Sequence, residues 1–475
     1  MARKKNEILK NLIWRFAEKC GAQTVSFLVW IILARILSPE DFGTMTIVNA
    51  VILILSVFTD SGLGNALIQK KEADDLDFSS VFYFNVCVGI LLYGFLFFSA
   101  PIIAVFYSND ALTKLIRAAG VIVIISSIKN VQQAYVSRTM QFKKFFVATI
   151  GGTIISAILG IYMAVKGYGA WALIAQNIFN LLMDTVILWV IVQWRPKRVF
   201  SIKRLKQLLS YGWKILVTVL LDTMYNNMRS LVIGRVYTAN DLAYYNKGYS
   251  IPSFLVSNIS FSLDSVLFPV LSAEQDVTAN VKEMTRKTIR LSSYLIWPMM
   301  IGLMAVARPL VAIVLTEKWI EVVPYLCIFC FVFALWPIHT ANLNAIKALG
   351  RSDLFLKLEI IKIAIGIAAL CSTMFISVKA IAIAEAIVSP LGAVVNAWPN
   401  KKLLHYTFSE QLADVLPAIK LSIIMGICVY SINFFNLERI AVLVLQIIIG
   451  ILVYIGFSKL FHNESFEYLL GVLKK

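Results

Sequence analysis

The sequence predicts an all-α polytopic membrane protein. About fourteen transmembrane helices form two parallel, pseudo-symmetric six-helix lobes plus two C-terminal helices. Three observations carry this. Hydrophobic residues make up 59% of the 475 positions and charged residues 15%, against roughly 45–50% and about 25% in soluble domains, so too few polar residues remain to cover a soluble surface. The apolar residues come in runs of about 20 or more, long enough to cross a ~30 Å hydrocarbon core as helix. Sequence landmarks also recur about 200 residues apart, the mark of a duplicated chain.

The predicted spans lie near 12–35, 43–67, 80–105, 113–137, 145–166, 170–194, 213–235, 242–270, 289–315, 321–347, 355–377, 380–400, 412–434 and 438–459. The opening "MARKKNEILK" is basic, but a full-length span without a small-residue cleavage site follows, so no cleavable signal is expected. The eighth span is rich in serine and tyrosine and contains Pro252; a span this polar must face protein or a water-filled cavity. All six cysteines fall inside apolar runs, and the Cys327–Cys330 pair has no second CxxC or histidine nearby. They read as small packing residues.

Orientation follows from the positive charges. Counting along alternate loops, 27 Lys and Arg fall in one set and 8 in the other. The richer set is expected in the cytoplasm, with both termini. The net charge of +17 is dispersed among these short segments, which suits anionic headgroups; no nucleic-acid partner is expected. The segment 195–212 holds Ile202, Leu205, Leu208 and Leu209 on one helical face, with Lys203, Arg204 and Lys206 mostly off it. It is expected to be an amphipathic linker lying on the inner leaflet. That divides the chain into a first lobe at 1–194, a linker at 195–212, a second lobe at 213–404 and two further helices with a tail at 405–475.

The repeat begins at the first outer turn. "RILSPEDFG" (35–43) is echoed by "RVYTANDLA" (235–243), so that Arg35 answers to Arg235, Ser38 to Thr238 and Asp41 to Asp241. Pro101 parallels Pro309 and Lys166 parallels Lys379, a slow drift that loop insertions produce. Six spans per half is an even number, so the halves run parallel. Asp41 and Asp241 are expected to cap the helices that follow them.

No phosphate loop, HExxH or paired-cysteine metal pattern occurs, so neither cofactor nor metal is expected. His339 is the one candidate for membrane-embedded catalysis, and a polar interior position is its simpler reading. Ionisable residues within spans stand out instead: Arg15, Glu18 and Lys19; Asp60; Lys129; Asp184; Asp222 and Arg229; Lys247 and Asp264; Glu385. Each is costly in hydrocarbon and is expected to face the interior or to snorkel. Asp222, Asn226 and Arg229 share one helical face, with Asp222 near the midplane.

"TDSGLGNALIQKKE" (59–72), "LAYYNKGYSIP" (242–252), "VLFPVLSAEQD" (266–276) and "LTEKW" (315–319) resemble landmarks of Wzx-type, WzxC-like polysaccharide flippases. These belong to the multidrug/oligosaccharidyl-lipid/polysaccharide (MOP) exporter superfamily. The resemblance runs over roughly residues 8–405. It implies two six-helix lobes around a cavity lined by the first, second, seventh and eighth spans. It also implies alternating access that carries a lipid-linked, typically undecaprenyl-diphosphate-linked, oligosaccharide between leaflets of the bacterial cytoplasmic membrane. With that arrangement, Arg15, Lys19, Arg229 and Lys247 are the candidate substrate-binding cations. Glu18, Asp60, Asp222 and Asp264 are the candidate cavity or coupling carboxylates, with H+ or Na+ as the ion if one is coupled. Expected partners are the lipid-linked oligosaccharide and membrane lipids, and no enzymatic activity is expected. A multidrug/cation antiporter of the same superfamily, or a membrane-embedded polysaccharide transferase or polymerase, stays open as an alternative.

Overall fold

A computed structural model describes residues 2–60, 62–273, 277–435 and 438–473; for residues 2–13, 15, 16, 18–20, 60, 260–273, 472 and 473 it describes the helix and no side chain. All regular structure among the described residues is helical. The chain packs as two compact units, Met1–Ala243 and Tyr244–Lys475.

The first unit holds α1 (Ala2–Ile36), α2 (Pro39–Asp60), α3 (Leu63–Gln69), α4 (Asp75–Phe106), α5 (Ala111–Ala119), α6 (Val121–Arg138), α7 (Phe142–Val165), α8 (Ala170–Ile191) and α9 (Ile202–Val236). The helix α10 (Ala239–Ala273) opens at its end. The second unit continues with α11 (Thr278–Ala305), α12 (Ala307–Val314), α13 (Val322–Ala334), α14 (Trp336–Ala348), α15 (Ser352–Thr373), α16 (Val378–Leu403), α17 (Phe408–Ser431), α18 (Arg439–Leu460) and α19 (Glu464–Leu473).

Helix occupies each of the fourteen predicted stretches, and four of them are broken: between α2 and α3, at Gly120, at Val306 and at Leu335. By length and hydropathy, nine helical segments among the described residues can cross a membrane, or ten if α11 and α12, bent by 71°, form one span. Large apolar side chains lie outward along them, among them Phe95, Phe98, Ile102, Ile158, Val190 and Leu452. A surface this apolar needs lipid around it, and the protein is a multi-pass membrane protein.

Helix starts follow local chemistry. Asp74 and Asp77 form a reciprocal capping box at α4, and Thr407 and Glu410 form another at α17; each satisfies backbone N–H groups that the first turn leaves open. The Asp77 N–H, helped by nearby Arg204, holds the Asp74 carboxyl below its usual range. Inside the first unit, α7 lies between α1 and α8. Small residues allow the approach: a Cβ on Gly152 would sit 2.9 Å from the Asn180 oxygen and the Asp184 nitrogen.

One sequence expectation meets a different arrangement. The segment expected to lie on the leaflet is the start of α9, which runs unbroken from Ile202 to Val236. Leu205 and Leu208 are buried against Leu63, Leu67, Phe78, Val131 and Trp194, with Leu209 packed beside them. Leu205, Leu208 and Leu209 of the amphipathic face are therefore covered by protein, while Ile202 at its start is exposed. The two compact units divide at 243/244, with α9 in the first because it packs on α2, α3 and α4.

The helices after residue 405 are not loosely attached. α17 lies along α11, and Asp414 ties them. It accepts from Arg286 at 2.7 and 2.9 Å, from Arg290 at 2.8 Å and from the buried Tyr406 hydroxyl at 2.7 Å. Burial, and then the bond to Asp414, keep the Tyr406 hydroxyl protonated well above its ordinary range, so it stays a donor.

Candidate functional site

The paired turns show how the duplication is built. In the first, Ser38 donates from its N–H and hydroxyl to Asp41 Oδ2 at 3.0 and 2.7 Å, and its Oγ accepts from the Asp41 N–H at 3.2 Å. In the second, Thr238 and Asp241 repeat all three bonds at 3.3, 2.7 and 3.2 Å. Both are capping boxes. The hydroxyl residue is the cap and the aspartate reaches back to it, a refinement of the expectation that the aspartates themselves cap.

The two turns also touch. A Cβ on Gly43 would lie 1.8 Å from the Ala239 carbonyl oxygen, so this contact requires glycine. At the far end of the same helix pair, Gly62 and Gly212 meet backbone to backbone, where a Cβ on Gly62 would stand 2.7 Å from the Gly212 oxygen. Between them Gly234 packs on Ile47. At Gly43 against the start of α10, and at Gly62 against Gly212 of α9, only glycine lets the backbones approach.

On α9, the Asp222 and Asn226 side chains are exposed and Arg229 is half-buried. The Arg229 guanidinium donates to the Tyr225 hydroxyl at 3.2 Å and lies 5.1 Å from that ring's centre. An exposed carboxylate and amide beside a half-buried guanidinium on α9, the helix expected to be the seventh span, form a polar strip that hydrocarbon would not tolerate. Arg229 sits seven residues before the end of α9, ~10 Å by helical rise.

Lys247 is in a different setting. It lies eight residues into α10, ~12 Å by rise, and it is buried. Its ammonium stands 5.8 Å from the Trp319 ring centre. Its neighbours Tyr245 and Tyr249 pack on Phe329 of α13 at 5.1 and 5.2 Å, and Gly248 packs on Tyr325. The polar character of the eighth span is thus answered, over 244–249, by aromatic packing on α13. The side chains of Arg15, Glu18, Lys19, Asp60 and Asp264 lie outside the described residues.

The isolated charges of the fourth and sixth spans pair with each other. Lys129 Nζ lies 2.5 Å from Asp184 Oδ2, both largely buried between α6 and α8. Nothing in the sequence marks two residues 55 positions apart as partners, beyond each being an opposite charge in an apolar run. A second buried network went unsignalled. Asn342 and Gln411 exchange amide hydrogen bonds at 2.7 and 3.0 Å, and Asn400 donates to Asn342 at 2.6 Å. His339 shares a 3.0 Å contact with Asn396, a polar interior position without a carboxylate partner in that bond.

A family model described as "Polysaccharide biosynthesis protein" matches residues 32–324, more than half of the chain. The chain belongs to that polysaccharide biosynthesis family. Among its relatives, the teichuronic acid biosynthesis protein TuaB of Bacillus subtilis is 24% identical over 409 residues, covering 84% of each chain. The lipopolysaccharide biosynthesis protein WzxC of Escherichia coli is 24% identical over 338 residues, covering 70% of this chain and 68% of its own. Among solved structures, a lipid II flippase MurJ in an inward closed conformation aligns over 95% of this chain and 99% of its own. Its TM-score is 0.76 at 15% identity. A multidrug resistance MATE transporter of the MOP superfamily aligns over 84% of this chain and 96% of its own, with TM-score 0.62 and 15% identity. At such identities these likenesses show the fold alone.

Proposed function

We propose that this family member moves a lipid-linked oligosaccharide, of undecaprenyl-diphosphate type, from the inner to the outer leaflet of the bacterial cytoplasmic membrane, for surface polysaccharide synthesis. It acts as a transporter and not as an enzyme. The observation that carries the reading is the Asp222–Asn226–Arg229 strip, a polar surface on α9, taken here as the seventh span, in a polysaccharide biosynthesis protein. The names of its relatives, which include WzxC and a lipid II flippase, support the substrate class.

The working arrangement has both termini in the cytoplasm and two parallel six-span halves, 1–194 and 213–404, with 405–475 added. The first and seventh spans then both rise from the cytoplasm. Arg15 and Lys19 lie low, while Arg229, and Lys247 on the descending eighth span, lie high. A diphosphate is prohibitively costly bare in hydrocarbon, but Arg and Lys can replace water as its partners. The low pair receives the headgroup and the high cations take it as the halves rock. Of the high cations, Arg229 is the more accessible in this conformation, and Lys247 needs the α10–α13 aromatic packing to loosen first. Asp222 discourages a stable resting place at the midplane or titrates to couple a proton; Glu18, Asp60 and Asp264 are the other carboxylates of this scheme, for H+ or Na+.

The test compares Arg229→Ala with Arg229→Lys in glycan-export complementation at matched expression. The proposal expects severe loss with alanine and partial rescue by lysine. Full export with alanine removes Arg229 from the mechanism.

A further inference from the structure

The second unit holds a cavity of about 590 Å³ on its own, where α11, α17 and the segment leading into α19 meet. This is within the range of small-molecule sites. Its walls divide by chemistry. Leu416, Pro417, Leu421, Ile424 and Phe461 form an apolar part, and Arg290, Asp414, His462, Asn463 and Glu464 form a polar rim. The charges of the rim are already balanced. Arg290 and Arg286 are spent on Asp414, and Arg290 also binds Glu464 at 2.5 Å.

One charge in the wall is not balanced. Lys420 lines the cavity and makes no hydrogen bond or ion pair among the described residues. It lies six residues past Asp414 on α17, ~9 Å further along the helix than the ion-paired layer. Its side chain is exposed, so on a helix apolar enough to cross a membrane the ammonium faces lipid, where it is costly without an anion. The helix α19 borders the same cavity and is amphipathic: Phe466 and Leu469 pack on the cluster of Tyr294, Leu421 and Tyr454, while Glu464 binds Arg290. A ligand that fits must carry an anionic head for Lys420 and a hydrocarbon part for the leucine and isoleucine wall.

We propose that this cavity is a binding site for an anionic membrane phospholipid, with its phosphate on Lys420 and an acyl chain along Leu416, Leu421 and Ile424. The lysines and arginines at this end (Lys282, Arg286, Lys287, Arg290, Lys401, Lys402 and Lys459) add long-range attraction for a negatively charged leaflet. Bound there, the lipid bridges α11, α17 and α19. The site lies within the second unit and does not depend on the transported substrate.

The test uses the full-length protein in nanodiscs of phosphatidylcholine alone or with 20% phosphatidylglycerol, with retained lipid counted by native mass spectrometry after transfer to detergent. A parallel arm adds inorganic phosphate to protein in phosphatidylcholine. The wild-type protein is expected to retain phosphatidylglycerol selectively. Lys420→Gln should weaken that retention about tenfold, the worth of a charge-assisted bond, and Lys420→Arg should keep it and report that the fold tolerates substitution. Equal retention by Lys420→Gln and the wild type overturns the proposal. So does thermal stabilisation by inorganic phosphate equal to that by the lipid, which would make this a free-phosphate site.

Discussion

Replacing Gly43 by alanine adds one methyl group at the meeting of the two turns. Its Cβ would fall 1.8 Å from the Ala239 oxygen, 2.5 Å from its carbonyl carbon and 2.9 Å from its Cα, whereas ordinary contact begins near 3.4 Å. Both sides are backbone, so no flexible side chain can step aside. The turns must part by about 1.6 Å, and overpacking of this kind costs about 1–3 kcal/mol. If the turns close and open as the halves rock, that is a shift of about 5–150-fold toward the parted state. Spin labels on Glu40 and Asn240, which are exposed on the two turns, allow the distance distribution to be read by pulsed electron resonance. The wild type should show a dominant short distance, and Gly43→Ala should move population to longer ones and lower export. Gly64→Ala is the control, because its Cβ would meet nothing within 4 Å. An unchanged distribution with normal export in Gly43→Ala would refute the packing argument.

Three further outcomes follow from the same geometry. Asp184→Asn or Lys129→Met leaves one charge buried alone and should cost about 3–5 kcal/mol, read as lost abundance and a lower unfolding temperature; the double change to Met and Leu should recover much of it. Asp41→Asn should be mild, while Ser38→Ala, which removes one side of the capping box, should cost about 1 kcal/mol and lower abundance without lowering transport per molecule. Cysteine labelling should find residues near 38, 109, 167 and 318 outside and those near 74, 140, 203 and 352 inside; an external signal at 203 would reverse the orientation.

Helix positions were legible because hydrocarbon thickness imposes length and composition together, and helix stands in every predicted stretch. The breaks were less so. Val306 and Leu335 themselves look like ordinary span residues; the signal is Pro309 and Pro337 just beyond them, which have no N–H to bond the preceding turn, and the 71° bend between α11 and α12 lies at the first of these. The turn pair was legible as a repeat, since Ser38–Asp41 and Thr238–Asp241 keep a hydroxyl and a carboxylate three residues apart. That Gly43 should seat on Ala239 was not, because glycine in a sequence does not say which backbone approaches it. The face of Leu205 and Leu208 was visible as apolar, but amphipathicity does not distinguish a lipid cover from a protein one. Asp222 and Arg229 could be read as one strip because they share a helix. Lys129 and Asp184 could not be read as a pair, because their partnership is tertiary.

The central claim is that this chain moves a lipid-linked oligosaccharide between leaflets, and reconstitution tests it most directly. Purified protein is placed in vesicles carrying an undecaprenyl-diphosphate oligosaccharide in both leaflets, and an external glycosidase digests whatever glycan reaches the outer surface. Transport predicts that digestion proceeds beyond the outer-leaflet half toward completion in vesicles with the wild-type protein, and slows sharply with Arg229→Ala. Digestion that stops at the level of protein-free vesicles, with a competent lipid-linked substrate present, would contradict it.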